Sequence, residues 1–563
     1  MGILKQLRGA GCRPIKTATM LSILSTLVLT SNVTNATVKI TTDMTNSDNK
    51  KGKIHNYWNV RNEIPPYPNL TNVEVDRQDS MNLIRLLGGE AKSGQKVTDN
   101  DAIIYKNGEY VFRYWKVRSR IDAVKSHGYK IHQIVLDNPP WAMQRGLNFV
   151  ENPTREGEYD IDDKISTYGN SFPPGEPAVW ADFIEKLIGN LIQKYGVEEV
   201  SSWRFRVHTE ADFIPHHWSG TKKDYFDHYK NTVRAVRRAL PSAKVGSHFL
   251  PPPSGSNRYG VEFVGWTSEQ NLPLNDVGLS YYPFYNNSAH VDMDRVWEKF
   301  VKPFKTSSGW KAGTSFSIPE FTLFTERDDD GYNVPVGSAH RDAFYAMMSK
   351  MVFEKGINKV HTWGDKTNNP FFLAIKTMAG KDRYKNWRSG TPLQSGNMVD
   401  GYFAASTDKK KIDAIVFNYN ADPLYKADDK IEIAVTVPYP PGTRFNFRSA
   451  IKRRANNAQH QFAQQYVNAD KYVSDGGWVL DKVRPDATTK TDKNGDYGTI
   501  LTTWGKNKWK EEKENLSGYQ SLNFSSNTTV HSVAIGSNQT KSQIKVQVSM
   551  PSFSFRKVEF RKQ

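Results

Sequence analysis

The chain has almost no cysteine. Its one thiol, Cys12 among 563 residues, lies in a leader-like N-terminal stretch. Disulfides, thiolate metal sites and a cysteine nucleophile are therefore excluded from the rest. Long apolar runs are scarce as well. The apolar stretch at residues 20–30 is about half the ~20 residues a membrane span needs, and no later segment qualifies. Lys5, Arg8, Arg13 and Lys16 precede it without an acid, and Thr34, Asn35 and Ala36 follow it. That pattern predicts a cleaved secretory leader over 1–36 and a secreted, extracellular or periplasmic protein. Acids are the minority charge, 59 Asp and Glu against 76 Lys and Arg, and the net charge of +17 becomes +13 without the leader's four cations. Such an excess favours anionic partners. No nucleic-acid motif is present, so sulfated or uronic polysaccharide is the expected anion, with a merely soluble basic surface as the alternative.

What is present is a long alternation of short apolar runs and amphipathic helices between residues 81 and 365, the pattern of repeated βα units. Strands are expected at 82–87, 130–136, 203–207, 244–248, 277–280, 314–318 and 359–362, and 38–41 completes a set of eight. Phe183, Leu187 and Leu191 recur at spacing four beside Ile184, Ile188 and Ile192, which makes one helical stripe. Tyr225, Tyr229 and Val233 repeat it, and a third helix over 339–354 stops before Gly356. Beyond about residue 385 the period changes to two. The runs 412–417, 431–437, 533–535 and 544–548 read as half-buried strands separated by turns. The expected fold is α/β, a (β/α)8 TIM barrel over 37–385 followed by an all-β sandwich over 386–563.

Two runs end in glutamate, WRFRVHTE at 203–210 and TSFSIPE at 314–320. Each places a carboxylate at the C-terminal end of a barrel strand, and only a closed fold brings residues so far apart in the chain together. Two facing carboxylates are what glycoside hydrolysis requires: one protonates the leaving oxygen, and the other attacks the sugar or activates water.

The stretch 180–212, with LIGNLIQKYGVEEV at 187–200 and then the run ending in Glu210 and Asp212, resembles the acid/base segment of glycoside hydrolase family 39. The resemblance continues from Trp218 to Gly246 and again at 451–458. It implies a retaining (β/α)8 enzyme, related to β-xylosidases and α-L-iduronidases, with Glu210 as acid/base and Glu320 as nucleophile. It further implies that Arg85 and Tyr282 support the nucleophile and that Trp363 lies beneath the sugar. The family has asparagine before its acid/base, where it binds the sugar's 2-hydroxyl; this chain has Thr209. An altered or substituted 2-position is therefore expected, as in a sulfated or anhydro-bridged galactan of the carrageenan or agar type. A xyloside or uronide is the alternative, and a carbohydrate-binding protein on a decayed barrel is the rival from another class.

Trp141 follows the third strand and reads equally as a substrate contact or a lid over the core. His208 faces the substrate rim on this reading, and His216 and His217 lie in a loop; hydrogen bonding to sugar or core suits all three better than a metal, since their spacing matches no known site. Neither metal nor other cofactor is expected. The acids Asp328, Asp329 and Asp330 after Arg327 read as a solvated loop, with a calcium site as the alternative, and Lys452, Arg453 and Arg454 as a sulfate-binding cluster or a solvated turn.

Overall fold

Short runs of β-branched and aromatic residues, each followed by a helix with one apolar face, close into a barrel because every strand must be covered on its outer side. In the computed structural model the strands are β1 (Val60–Glu63), β2 (Ser80–Leu83), β3 (Lys130–Leu136), β4 (Arg204–Val207), β5 (Lys244–Phe249), β6 (Asp276–Tyr281), β7 (Ser315–Phe321) and β8 (Ile357–Thr362). They pair in parallel and in chain order, and β8 closes the ring onto β1. The structure describes residues 38–563 except 66, 68–69, 74–77, 93–94, 145–167, 253–257, 286–287, 290–291, 323–338, 364–369, 394–396, 421–427 and scattered parts of 454–520. The leader at 1–36, the acidic run after Arg327, Arg454 and much of 490–515 lie outside the described residues.

One expected strand is misplaced. Residues 38–41 belong not to the barrel but to Val38–Asp43, which lies between Asn386–Gly390 and Asp428–Val437 in a separate five-stranded sheet. The barrel's first strand is β1 instead, with Val60 as its only aliphatic residue. Arg61 and Glu63 pair with each other there, and Asn62 reaches the carbonyl of Pro319.

The helices follow the apolar stripes. The principal ones are α1 (Tyr114–Ser126), α2 (Pro177–Tyr195), α3 (Lys222–Ala239), α4 (Gly260–Glu269), α5 (Ala339–Lys355) and α6 (Pro370–Met378). Thr221 and Asp224 cap α3 reciprocally, which satisfies backbone donors at its N-terminus. Among the described residues, no helix is long and apolar enough to cross a membrane.

The accessory region is built on two large sheets. A seven-stranded sheet holds β9 (Met398–Ala405), β10 (Lys411–Tyr419), β12 (Arg444–Lys452) and β14 (Ser554–Lys562); the five-stranded sheet holds β11 (Asp428–Val437) and β13 (Asn538–Pro551). Ile412, Val416, Ile431, Ile433, Val435, Phe445, Val558 and Phe560 meet between them. The other face of the seven-stranded sheet packs on the barrel's helices, through Phe353 against Tyr402, Phe344 against Tyr419 and Phe371 against Phe555. Residues 412–417 are therefore buried on both faces, not half-buried, and 533–535 are exposed throughout.

Candidate active site

The C-terminal ends of β2, β3 and β4 share a backbone peculiarity. Arg85, Asn138, His208 and Glu210 have φ of +55°, +44°, +66° and +43°. Left-handed backbone at a non-glycine residue costs of order 1 kcal/mol or more and persists only where the surroundings impose it. Here it redirects side chains at the strand ends. On the other side of the barrel, β6 presents Gly278, Ser280 and Tyr282 inward by the alternation of a strand. Gly278 must be glycine, since a Cβ there would lie 2.3 Å from the carbonyl of Ser317 on β7. An irregular register between Gly278 and Ser280 then sets Ser280 opposite Glu320.

Glu320 is surrounded by donors and cations. The Tyr282 hydroxyl donates to its Oε1. Burial raises its carboxyl above the usual range, while the Tyr282 hydrogen bond, the charge of Arg206, the Trp363 indole and the charge of Arg85 each pull it back. Trp363 is held just past β8 by its amide donating to the carbonyl of Phe321 at 2.9 Å. Arg206 is fixed from both sides, donating through Nε to the carbonyl of His208 at 3.1 Å and through Nη2 to Thr209 Oγ1 at 2.8 Å.

Glu210 has the opposite setting. Burial and then the charge of Glu320 push its carboxyl well above the usual range. A proton shared by this coupled pair therefore resides on Glu210, and Glu320 stays ionised. The Ser280 hydroxyl donates to Glu210 Oε1. His217 Nε2 lies 3.5 Å from Oε2, and because burial and the charge of Arg85 hold its imidazole well below the usual value, this contact is neutral and not an ion pair. One oxygen of each glutamate and a nitrogen of His248 lie within 4.8 Å of one another. Both His248 nitrogens are engaged, Nδ1 by the amide of Glu210 at 3.4 Å and Nε2 by Ser280 Oγ at 2.9 Å, so the cluster is bonded within itself. The carboxylate spacing suits the short separation of roughly 5–5.5 Å that double displacement uses, not the wider gap of an inverting pair.

The structure brings Glu210, Glu320, Arg85, Thr209, Tyr282 and Trp363 to this end of the barrel. The Arg85 guanidinium lies over the Tyr168 ring at 5.8 Å, and its amide donates to Asp137 Oδ1 at 2.8 Å. Thr209 is committed to its neighbours: its hydroxyl donates to Asp137 Oδ2 at 2.7 Å and accepts from Arg206.

Two expected contacts are corrected. His208 does not face the rim, because its left-handed backbone breaks the alternation of β4. Its ring packs edge-on to Trp218 and near Tyr225 and His228 of α3, and its Nε2 meets the carbonyl of His217 at 2.6 Å. Trp141 is 1% exposed and its indole donates to the carbonyl of Glu90 at 3.0 Å, so it is the lid over the core and offers no face to a sugar. Its amide and that of Gly89 both donate to the buried Asp101, whose carboxyl burial pushes up to about 7. Lys452 is buried too, at the end of β12, which removes it from any sulfate-binding surface.

Asp137, Arg206, His248 and Ser280 were not anticipated. Arg206 carried a legible signal, since an arginine at an inward position of a buried strand requires an acidic or carbonyl partner. Ser280 carried one as well, lying two residues before Tyr282 on the same face of β6.

A family model described as Glycosyl hydrolases family 39 matches residues 162–384. An α-1,4-L-rhamnosidase of Formosa agariphila is 31% identical over 426 residues, which span 74% of this chain and 84% of that protein. A β-xylosidase of Geobacillus stearothermophilus is 31% identical over 213 residues, 36% of this chain and 41% of its own length. Among solved structures, a monomeric β-xylosidase from Caulobacter crescentus CB15 shares the fold with a TM-score of 0.61 at 15% identity, covering 93% of this chain and 99% of that one.

Proposed function

Because the chain belongs to glycosyl hydrolases family 39, a family of glycosidases that retain configuration, we propose that its substrate is an α-L-rhamnoside. In the first step Glu320 attacks the anomeric carbon as the glycosidic bond breaks, and Glu210 gives its proton to the departing oxygen. In the second, Glu210, now ionised, takes a proton from water. That water displaces Glu320 and frees the sugar with its configuration retained.

The sugar is chosen by one observation, the commitment of Thr209 to Asp137 and Arg206 at the position where the family's asparagine meets an equatorial 2-hydroxyl. L-Rhamnose has the manno arrangement, in which the 2-hydroxyl is axial and points away from where that asparagine would reach. The likeness to a rhamnosidase over 84% of that protein supports the same reading. The net charge of +13 that remains without the leader's four cations supports an anionic saccharide as the remainder of the substrate, sulfated or uronic. The leader-like residues 1–36 support secretion, where such polysaccharides are met.

The test is turnover of p-nitrophenyl α-L-rhamnoside beside the β-D-xyloside and α-L-iduronide, with rhamnose-bearing anionic polysaccharides, carrageenan and agar in the same panel. Rhamnoside hydrolysis that vanishes in Glu320→Gln is the expected result. Preference for the xyloside, or activity on sulfated galactan alone, would overturn the choice of sugar.

A further inference from the structure

Strand β6 contributes two hydroxyls two residues apart, and each is bonded to a different catalytic carboxylate. Tyr282 donates to the nucleophile Glu320, and Ser280 donates to the acid/base Glu210. The second contact belongs to a closed ring. The amide N–H of Glu210 points at His248 Nδ1, which must therefore be the acceptor nitrogen of a neutral imidazole. The hydrogen of that imidazole then lies on Nε2, 2.9 Å from Ser280 Oγ. With its lone pair receiving that hydrogen, the serine has its own hydrogen directed to Glu210 Oε1. Each member of the ring fixes the polarity of the next.

We propose that Ser280, oriented by His248, is the positioning residue of the acid/base: it holds Oε1 of Glu210 as an acceptor, so that the transferable proton sits on Oε2. A carboxylic acid with two equivalent oxygens would spend part of its time with the proton on the wrong one. Proton transfer requires the donor within hydrogen-bond reach of the leaving oxygen, so fixing the protonated oxygen contributes directly to the first step. Oε2 is also the oxygen beside the neutral His217, which leaves the proton available and does not take it in an ion pair. The inference rests on the retaining reading of the site but not on the identity of the sugar.

The test is Ser280→Ala against wild type on a series of aryl glycosides of whichever sugar the wild type turns over, from dinitrophenyl to methoxyphenyl leaving groups. An activated leaving group departs without a proton, and a poor one does not. The expected result is a roughly 10- to 100-fold loss of kcat/KM with the poor leaving groups and less than about twofold with dinitrophenyl. The basic limb of the pH profile also moves to higher pH, because a donor that stabilised the ionised carboxylate has been removed. Glu320, Asp212, Arg258, Arg206, His217 and Tyr282 also face Glu210 and are the same in both proteins, so the difference isolates Ser280.

Ser280→Thr, which keeps the hydroxyl, restores the flat leaving-group profile and stands in if the alanine variant folds poorly. Carbon-13 titration of the Glu210 carboxyl, which moves up in Ser280→Ala, requires no turnover. It separates this inference from the choice of substrate even if no aryl glycoside is hydrolysed. A loss equal for all leaving groups, or an unmoved Glu210 titration, would overturn the proposal.

Discussion

The interior of the barrel and the core between the sandwich sheets are both closed to water, but they are built from different chemistry. In the barrel, Gln133 donates to Asn82, Asn82 to Asn62, and Asn62 to the carbonyl of Pro319. Arg204 pairs with Asp276 at 2.8 Å, and Arg206 lies among Asp137, Glu320, Asp276 and Glu210. Between the sheets, Ile412, Ile431, Ile433, Val435, Phe445 and Phe560 meet in one apolar cluster. Burying polar groups costs free energy unless each is partnered, so a fold retains them where they have a task. The barrel's apolar packing is displaced outward, to the layer of Leu187, Phe205, Val207, Tyr229 and Phe263 between strands and helices. Its interior is left free to hold and orient charge.

That contrast sets what substitution does in each region. The largest effect belongs to Glu320→Gln, which removes the nucleophile; kcat/KM falls on the order of 10⁴-fold or more while the melting temperature is preserved, by kinetics and calorimetry on one preparation. Arg206→Met comes next and affects both quantities, because it strips a buried cation from Asp137 and Glu320. Stability drops by about 3–5 kcal/mol, and activity falls with it. Tyr282→Phe removes one donor from a charged carboxylate, a contact of about 1.5–3 kcal/mol, or roughly 10- to 100-fold in kcat/KM. Its sign is checkable: the Glu320 pKa rises without the donor, so the acidic limb of the pH profile moves to higher pH. Ile433→Ala in the sandwich has the smallest effect on activity. Urea unfolding shows about 2–5 kcal/mol of lost stability and the kinetic constants stay at wild-type values. A drop in kcat/KM there would break the division between the regions.

The same division explains what was legible in the chain. Strands β3 to β8 and helices α2, α3 and α5 could be read from periodicity because their outward faces are apolar and regular. Strand β1 could not, since Val-Arg-Asn-Glu shows its meaning only when Arg61 finds Glu63 and Asn62 finds Pro319. Residues 38–41 alternate well enough for a strand, but their partners lie at 431–434, a pairing no local pattern contains. Strand β10 lost its alternation for a physical reason, since barrel helices cover its second face. At the site, Glu210 and Glu320 are legible as carboxylates ending two strand-like runs, whereas Arg85, Tyr282 and Trp363 are indicated only by the resemblance to family 39. The rim position expected of His208 fails because a left-handed φ turns its side chain away, and Ser280 is legible only as the residue two before Tyr282 on one strand face, since its bonds to His248 and Glu210 exist only in the fold.

The most direct test of the account is to trap the glycosyl-enzyme with an activated 2-fluoro glycoside and locate the added mass by peptide mapping. The account predicts one sugar, on the peptide carrying Glu320, and no adduct in Glu320→Gln. An adduct on Glu210, or turnover with an inverted first product and no adduct at all, would contradict it.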